Sequence, residues 1–132
     1  MDASVTGAWC IPDESTPSTE SVLDRIEADG AIVPGIWPLE VTNMLLIAER
    51  RGRLSFAETT RLVEFLSELP ITIDTDGLAR TFYSVPALAR THRLSSYDAS
   101  YLELAMRRGL PLATLDKDLA KAATAVGVQL IS

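Results

Sequence analysis

Apolar residues in this chain recur in two registers. Four short runs, Ala31–Val33, Ile71–Ile73, Leu112–Leu115 and Val128–Ile131, are bounded by glycine, proline or polar residues and predict short buried strands. Between them the spacing is helical, with legible punctuation. Thr16-Pro17 reads as an N-cap followed by proline at the first helical position, with Val22, Leu23 and Ile26 on one face. Pro38 opens a helix that Arg50-Arg51-Gly52 closes, basic residues in the last turn and a glycine just beyond. Ser55 and Glu58 have capping-box spacing for the next helix, which ends before Pro70. Residues 76–92 read as helix interrupted at Pro86. Ser95 and Ser96 start another helix, ended by Arg107-Arg108-Gly109, and the last one follows Asp116 and stops at Gly127. Strands alternating with helices, without linker, repeat or low-complexity segment, predict one α/β domain over residues 1–132. Its architecture is three-layered: a short, mainly parallel central sheet with helices on both faces. In such sheets, sites form in the crevice at the carboxyl ends of the strands.

Composition narrows the classes. Of 132 residues, 47% are hydrophobic and 23% charged, the balance of a globular chain that can bury one core. No run approaches the roughly 20 apolar residues of a membrane span, and no basic stretch followed by an apolar one opens the chain. Cys10 is the only cysteine, which leaves no internal disulfide and no zinc cluster. Together these features predict a cytoplasmic protein. The net charge of −6 argues against a nucleic-acid partner until its distribution is considered. Residues 1–30 carry seven acids and one arginine, whereas residues 77–132 carry four acids and seven basic groups. A basic rim around an acidic pocket is compatible with that pattern.

Four acids stand out by placement. Glu40 heads a mostly apolar stripe of Asn43, Met44 and Ile47, and Asp98 heads one of Tyr101, Leu102 and Ala105. Two helices thus begin with an acid aimed inward, which is costly without a cation or good hydrogen bonds. Asp116 follows the apolar run Leu112–Leu115, at a strand's carboxyl end, and Asp2 reaches the same edge if Met1 lies in a strand. Such a set repels itself, and the natural counterion is a hard divalent cation, Mg²⁺ or Mn²⁺. A metal beside open water positions suits phosphodiester hydrolysis. Each acid also has a plainer reading. Glu40 suits a helix dipole, Asp98 a capping box with Ser95, Asp116 an N-cap, and Asp2 an exposed terminus. Ser4 and Thr114 are placed to orient carboxylates. Asp118 reads as a dipole-stabilising acid, His92 as a helix-end residue, and Trp9 and Trp37 as core or interface.

The order Asp2-Ala3-Ser4, Pro38-Leu39-Glu40, Tyr97-Asp98-Ala99 and Thr114-Leu115-Asp116-Lys117-Asp118 resembles PIN-domain proteins, and more narrowly VapC toxins of bacterial toxin–antitoxin pairs. Ala8-Trp9 followed by Pro12-Asp13-Glu14 is similar to the family's opening helix and turn. The resemblance implies an endoribonuclease with Asp2, Glu40, Asp98 and Asp116 as catalytic acids. Asp2, Asp98 and Asp116 would hold Mg²⁺, and Glu40 would position the metal or the attacking water. It also implies a silencing antitoxin and a homodimer. The helices of residues 39–69 fit the dimer, carrying Leu45, Leu46, Phe56, Leu62, Phe65 and Leu66, more apolar surface than a small sheet needs. One departure is plain. Only Met1 precedes Asp2, so the first strand that the resemblance implies is truncated, supplied partly by Ala3–Val5, or misassigned at its start. Two rival readings stay open: a non-catalytic binding module on the same fold, and a phospho-acceptor signalling domain. The second needs a lysine after a late strand, and Lys117 and Lys121 lie instead on the last helix.

Overall fold

In a computed structural model describing residues 1–131, seven helices surround a short parallel sheet. In chain order these are α1 Ala3–Cys10, α2 Pro17–Asp29, β1 Ala31–Val33, α3 Trp37–Arg50, α4 Phe56–Glu68, β2 Ile71–Ile73, α5 Gly77–His92, α6 Ser96–Arg108 and α7 Lys117–Ala125. The architecture is the three-layer α/β arrangement expected. β1 and β2 pair in parallel, Ala31 opposite Ile71 and Val33 opposite Ile73, joined by the α3–α4 crossover. Gly30 makes the turn from α2 into β1 with φ 77°, and a Cβ there would meet the Pro70 carbonyl at 3.0 Å. Glycine serves both the left-handed backbone and the close strand approach.

The helix signals were local and correspond to observed caps. Thr16 and Thr19 form a reciprocal capping box, as do Ser55 and Glu58. Ser95 accepts from the Asp98 N–H, and Gly109 ends α6 in the left-handed region. α5 runs through Pro86 rather than breaking there. The carbonyl that this proline leaves without an N–H partner belongs to Phe82, a residue 93% exposed, where water can take the missing bond.

The predicted strands at the other side of the sheet are shorter than expected. Leu112–Leu115 and Val128–Ile131 reduce to a single parallel bridge, Leu112 with Leu130. The ladder stops because side chains capture the next backbone groups. Ser4 Oγ accepts from the Leu115 N–H and Thr114 Oγ1 from the Asp116 N–H. No strand includes Met1 or Ala3–Val5 either. Asp2 caps α1 and commits Ala3–Val5 to helix, while its own N–H still donates to the Ala113 carbonyl at 3.0 Å. Between β1 and the Leu112–Ala113 segment lies a cleft of about 250 Å³, with Met1 and Tyr101 in its lining.

The core joins both helical layers through Val5, Val22, Ile26, Val33, Leu45, Leu102, Leu112 and Leu119. Two contacts draw α3 against α1. A side-chain carbon on Gly7 would collide with the Met44 methyl, so the helices approach only because position 7 has none. The Trp37 indole donates to Thr6 Oγ1 at 3.2 Å. Both bring the first turn of α3, with Glu40, towards the start of α1.

Candidate active site

Asp2 sits at the N-cap of α1 and is only 4% exposed, not the solvated terminal residue of its plainer reading. The Ser4 N–H and hydroxyl donate to its Oδ1 at 3.2 and 2.5 Å, and the Thr114 hydroxyl donates to Oδ2 at 2.6 Å. Ser4 and Thr114 in turn accept from the Leu115 and Asp116 N–H groups at 2.9 and 3.0 Å. One hydrogen-bonded cluster therefore fixes the start of α1 against the segment leading to α7. Asp116 closes it as the N-cap of α7, its Oδ1 accepting from Leu119 N–H at 2.8 Å.

Glu40, in the first turn of α3, accepts from the Tyr101 hydroxyl at 2.6 Å through Oε1. Burial and this acidic neighbour keep the Tyr101 phenol protonated far above its ordinary range. Asp98 lies one turn from Tyr101 on the same face of α6. Its N–H is taken by Ser95, but no return bond from its carboxylate to the Ser95 backbone completes a capping box. Burial raises the Asp98 carboxyl above the ordinary aspartate value, and the charges of Asp116, Asp2 and Glu40 raise it further, against a weaker hydrogen bond from Ser95. Asp98 thus feels all three other acids.

The Met1 ammonium feels the charge of Asp2, but burial disfavours its own charged form. No basic side chain forms an ion pair with any of the four acids among the described residues. The ion pairs there are Arg53–Glu14, Arg107–Asp74 and Arg107–Glu103. Nor do three of these carboxylates, or any other group of His, Cys, Asp and Glu among the described residues, already close around a point as a metal cage. The donor set is nonetheless all hard oxygen, pre-oriented by hydroxyls and without a paired basic side chain, which fits a hydrated divalent cation. Cys10 is buried, and burial pushes its thiol up to about 11, so it offers no thiolate nucleophile. Two contacts were not anticipated. Tyr101 was legible only as part of the Asp98 stripe, and its bond to Glu40 spans 61 positions. Arg107 had read as a helix-end cation; its i,i+4 spacing from Glu103 was the available signal.

A small α/β domain with a carboxylate cluster between the starts of α1, α3, α6 and α7 is the class that fold and geometry define. The chain matches the PIN domain family over residues 1–125 and belongs to it. It is 31% identical over 121 residues to Ribonuclease VapC3 of Pyrobaculum aerophilum, covering 92% of this chain and 91% of that protein. The crystal structure of PAE2754 from the same organism superposes with a TM-score of 0.66 at 25% identity, covering 92% of this chain and 81% of that one. Family and relative together support a nuclease of the VapC type. Among the described residues, no helix is long and apolar enough to cross a membrane.

Proposed function

We propose that this chain is a Mg²⁺-dependent endoribonuclease, with Mn²⁺ able to substitute, and the toxin of a toxin–antitoxin pair acting in the cytoplasm as one domain over residues 1–132. The observation that carries the reading is the convergence of acids at Asp98, whose carboxyl is raised by burial and further by the charges of Asp116, Asp2 and Glu40, with no basic side chain in an ion pair with any of them among the described residues. Asp2, Asp98 and Asp116 would hold the cation, which supplies an activated water and charge for the phosphorane-like transition state. The chain's own groups do the positioning. Ser4 and Thr114 fix both oxygens of Asp2, and Tyr101 fixes Oε1 of Glu40, leaving Oε2 to orient the attacking water in line with the departing 3′ oxygen. The relative's name, a ribonuclease, supports RNA as substrate.

An antitoxin would silence such a site by placing a basic side chain among the acids; arginine suits this because its planar fork binds two carboxylate oxygens. A homodimer is supported by apolar surface left outside the core: Phe56 at 79% exposed, with Leu46, Val63 and Phe65 also on the α3–α4 side. Purified protein should cut a susceptible RNA with Mg²⁺ or Mn²⁺ and stop on addition of EDTA, and Asp98→Asn should abolish the cleavage. Asp2 and Asp116 each cap a helix, which favours the rival reading of a non-catalytic module on the same fold. Absence of metal-dependent cleavage across structured and single-stranded RNAs would establish that rival.

A further inference from the structure

RNA carries a negative charge at every phosphate, and this chain meets it with a net charge of −6 and an acidic centre. A strand can stay over such a centre only if cations beside it hold the flanking phosphates. Arg53 and Arg107 are committed to carboxylates elsewhere. The cleft between the end of α5 and one face of α7 is different. It has a volume of about 460 Å³ and is lined by Thr91, His92, Arg93, Asp118 and Lys121. Arg93 and Lys121 are exposed, and neither forms an ion pair among the described residues.

Both walls of this cleft lie within a few residues, along the chain, of members of the acidic cluster. Arg93 lies two residues before Ser95, the cap of α6, whose first turn carries Asp98. Asp118 follows Asp116, the cap of α7, by two residues, and Lys121 is one turn further along. Arg93 also ends α5 in the left-handed conformation, φ 54°, the turn that carries the chain from α5 to the start of α6.

We infer that the His92–Arg93–Lys121 cleft between α5 and α7 is a subsite that binds a backbone phosphate of the RNA next to the one being cut. The inference rests on the nuclease reading and deepens it. Arg93 supplies a planar fork, Lys121 a point charge and His92 an N–H donor. These are positioning residues that hold the strand and touch none of the reacting atoms. Asp118 opposes the anion in the same cleft, so the subsite predicts opposite signs for neighbouring substitutions.

The test is binding of a short fluorescein-labelled single-stranded RNA in EDTA, followed by anisotropy at several salt concentrations, beside steady-state cleavage with Mg²⁺. Arg93→Ala combined with Lys121→Ala should weaken binding about tenfold and reduce the salt slope by about one to two. It should raise KM, leave kcat within about twofold, and melt as the parent does. Asp118→Asn should tighten binding about twofold to threefold, because it removes a like charge. A double variant with the parent's affinity and salt slope overturns the subsite. So does a double variant that binds RNA as the parent does but no longer binds poly-L-glutamate, which assigns the cleft to an acidic protein partner. A parent that binds RNA through these residues in EDTA yet cuts none with Mg²⁺ upholds the subsite and defeats the nuclease reading, so the two fail separately.

Discussion

Helix α6 carries Asp98 in its first turn and Glu103 in its C-terminal half, and the two ends treat negative charge in opposite ways. Towards its C-terminus, Glu103 and Asp74 share Arg107: the guanidinium lies 2.7 Å from Glu103 Oε1 and 2.7 Å from Asp74 Oδ2, and the Gly77 N–H adds a bond to Asp74 at 2.8 Å. The hydrogen bonds from Arg107 hold the Asp74 carboxyl below the ordinary aspartate value despite burial. At its N-terminus, burial raises the Asp98 carboxyl, and its acidic neighbours Asp116, Asp2 and Glu40 raise it further where Asp74 has a guanidinium. Residue type does not decide the difference; the presence of a resident cation does. The Arg107 end ties β2, α5 and α6 together, whereas the Asp98 end stores repulsion that a ligand can relieve.

The largest expected effect tests the compensated end. Arg107→Leu removes the cation and leaves Asp74 and Glu103 buried without it, which should cost about 3–5 kcal/mol in urea denaturation. A similar loss from Asp98→Asn would dissolve the contrast. Next in size is the response to metal. Mg²⁺ at about one hundred times its Kd should stabilise the parent by about 2.7 kcal/mol. Asp98→Asn should respond less, while melting at or slightly above the parent temperature in EDTA because it relieves repulsion. A smaller effect separates the cap from the charge. Asp116→Ala loses the bond to the Leu119 N–H and should cost about 1 kcal/mol, offset in part by relief at Asp98.

The smallest effect is in the pH profile of the melting temperature without metal, and there the two ends have opposite signs. Asp74 has a lowered carboxyl, so its contribution is complete above the ordinary aspartate value, 3.8, and is lost as pH falls below that. Asp98 has a raised carboxyl, so its contribution is unfavourable above its raised value and fades as pH falls towards 3.8. Acidification should therefore gain stability from Asp98 before losing it from Asp74. Asp98→Asn should erase the first limb and keep the second.

What the sequence made legible follows the range of the interactions. Thr16-Pro17, Ser55 with Glu58, Ser95 and Gly109 marked real helix boundaries because caps form within three or four residues. The two strands flanking the α3–α4 crossover were legible as apolar runs. Leu112–Leu115 was equally apolar, but its pairing depended on Ser4 and Thr114 capturing backbone groups, over 111 positions in the case of Ser4 and Leu115. Helix position and resemblance single out the four acids, and the charges of Asp116, Asp2 and Glu40 act on Asp98. Tyr101 on Glu40 and Arg107 on Asp74 were not legible, since nothing local links residues 61 and 33 positions apart.

The Tyr101–Glu40 bond also gives the site an optical signal. A phenol changes its ultraviolet absorption when it ionises, and this one is kept from ionising by burial and by the carboxylate that it serves. Its tyrosinate band can emerge only when α6 parts from α3 and water reaches the ring. An alkaline jump followed by absorbance would then time the opening of the acidic centre itself, without a label. A cation held by Asp2, Asp98 and Asp116 beside the Tyr101–Glu40 bond should slow the colour change.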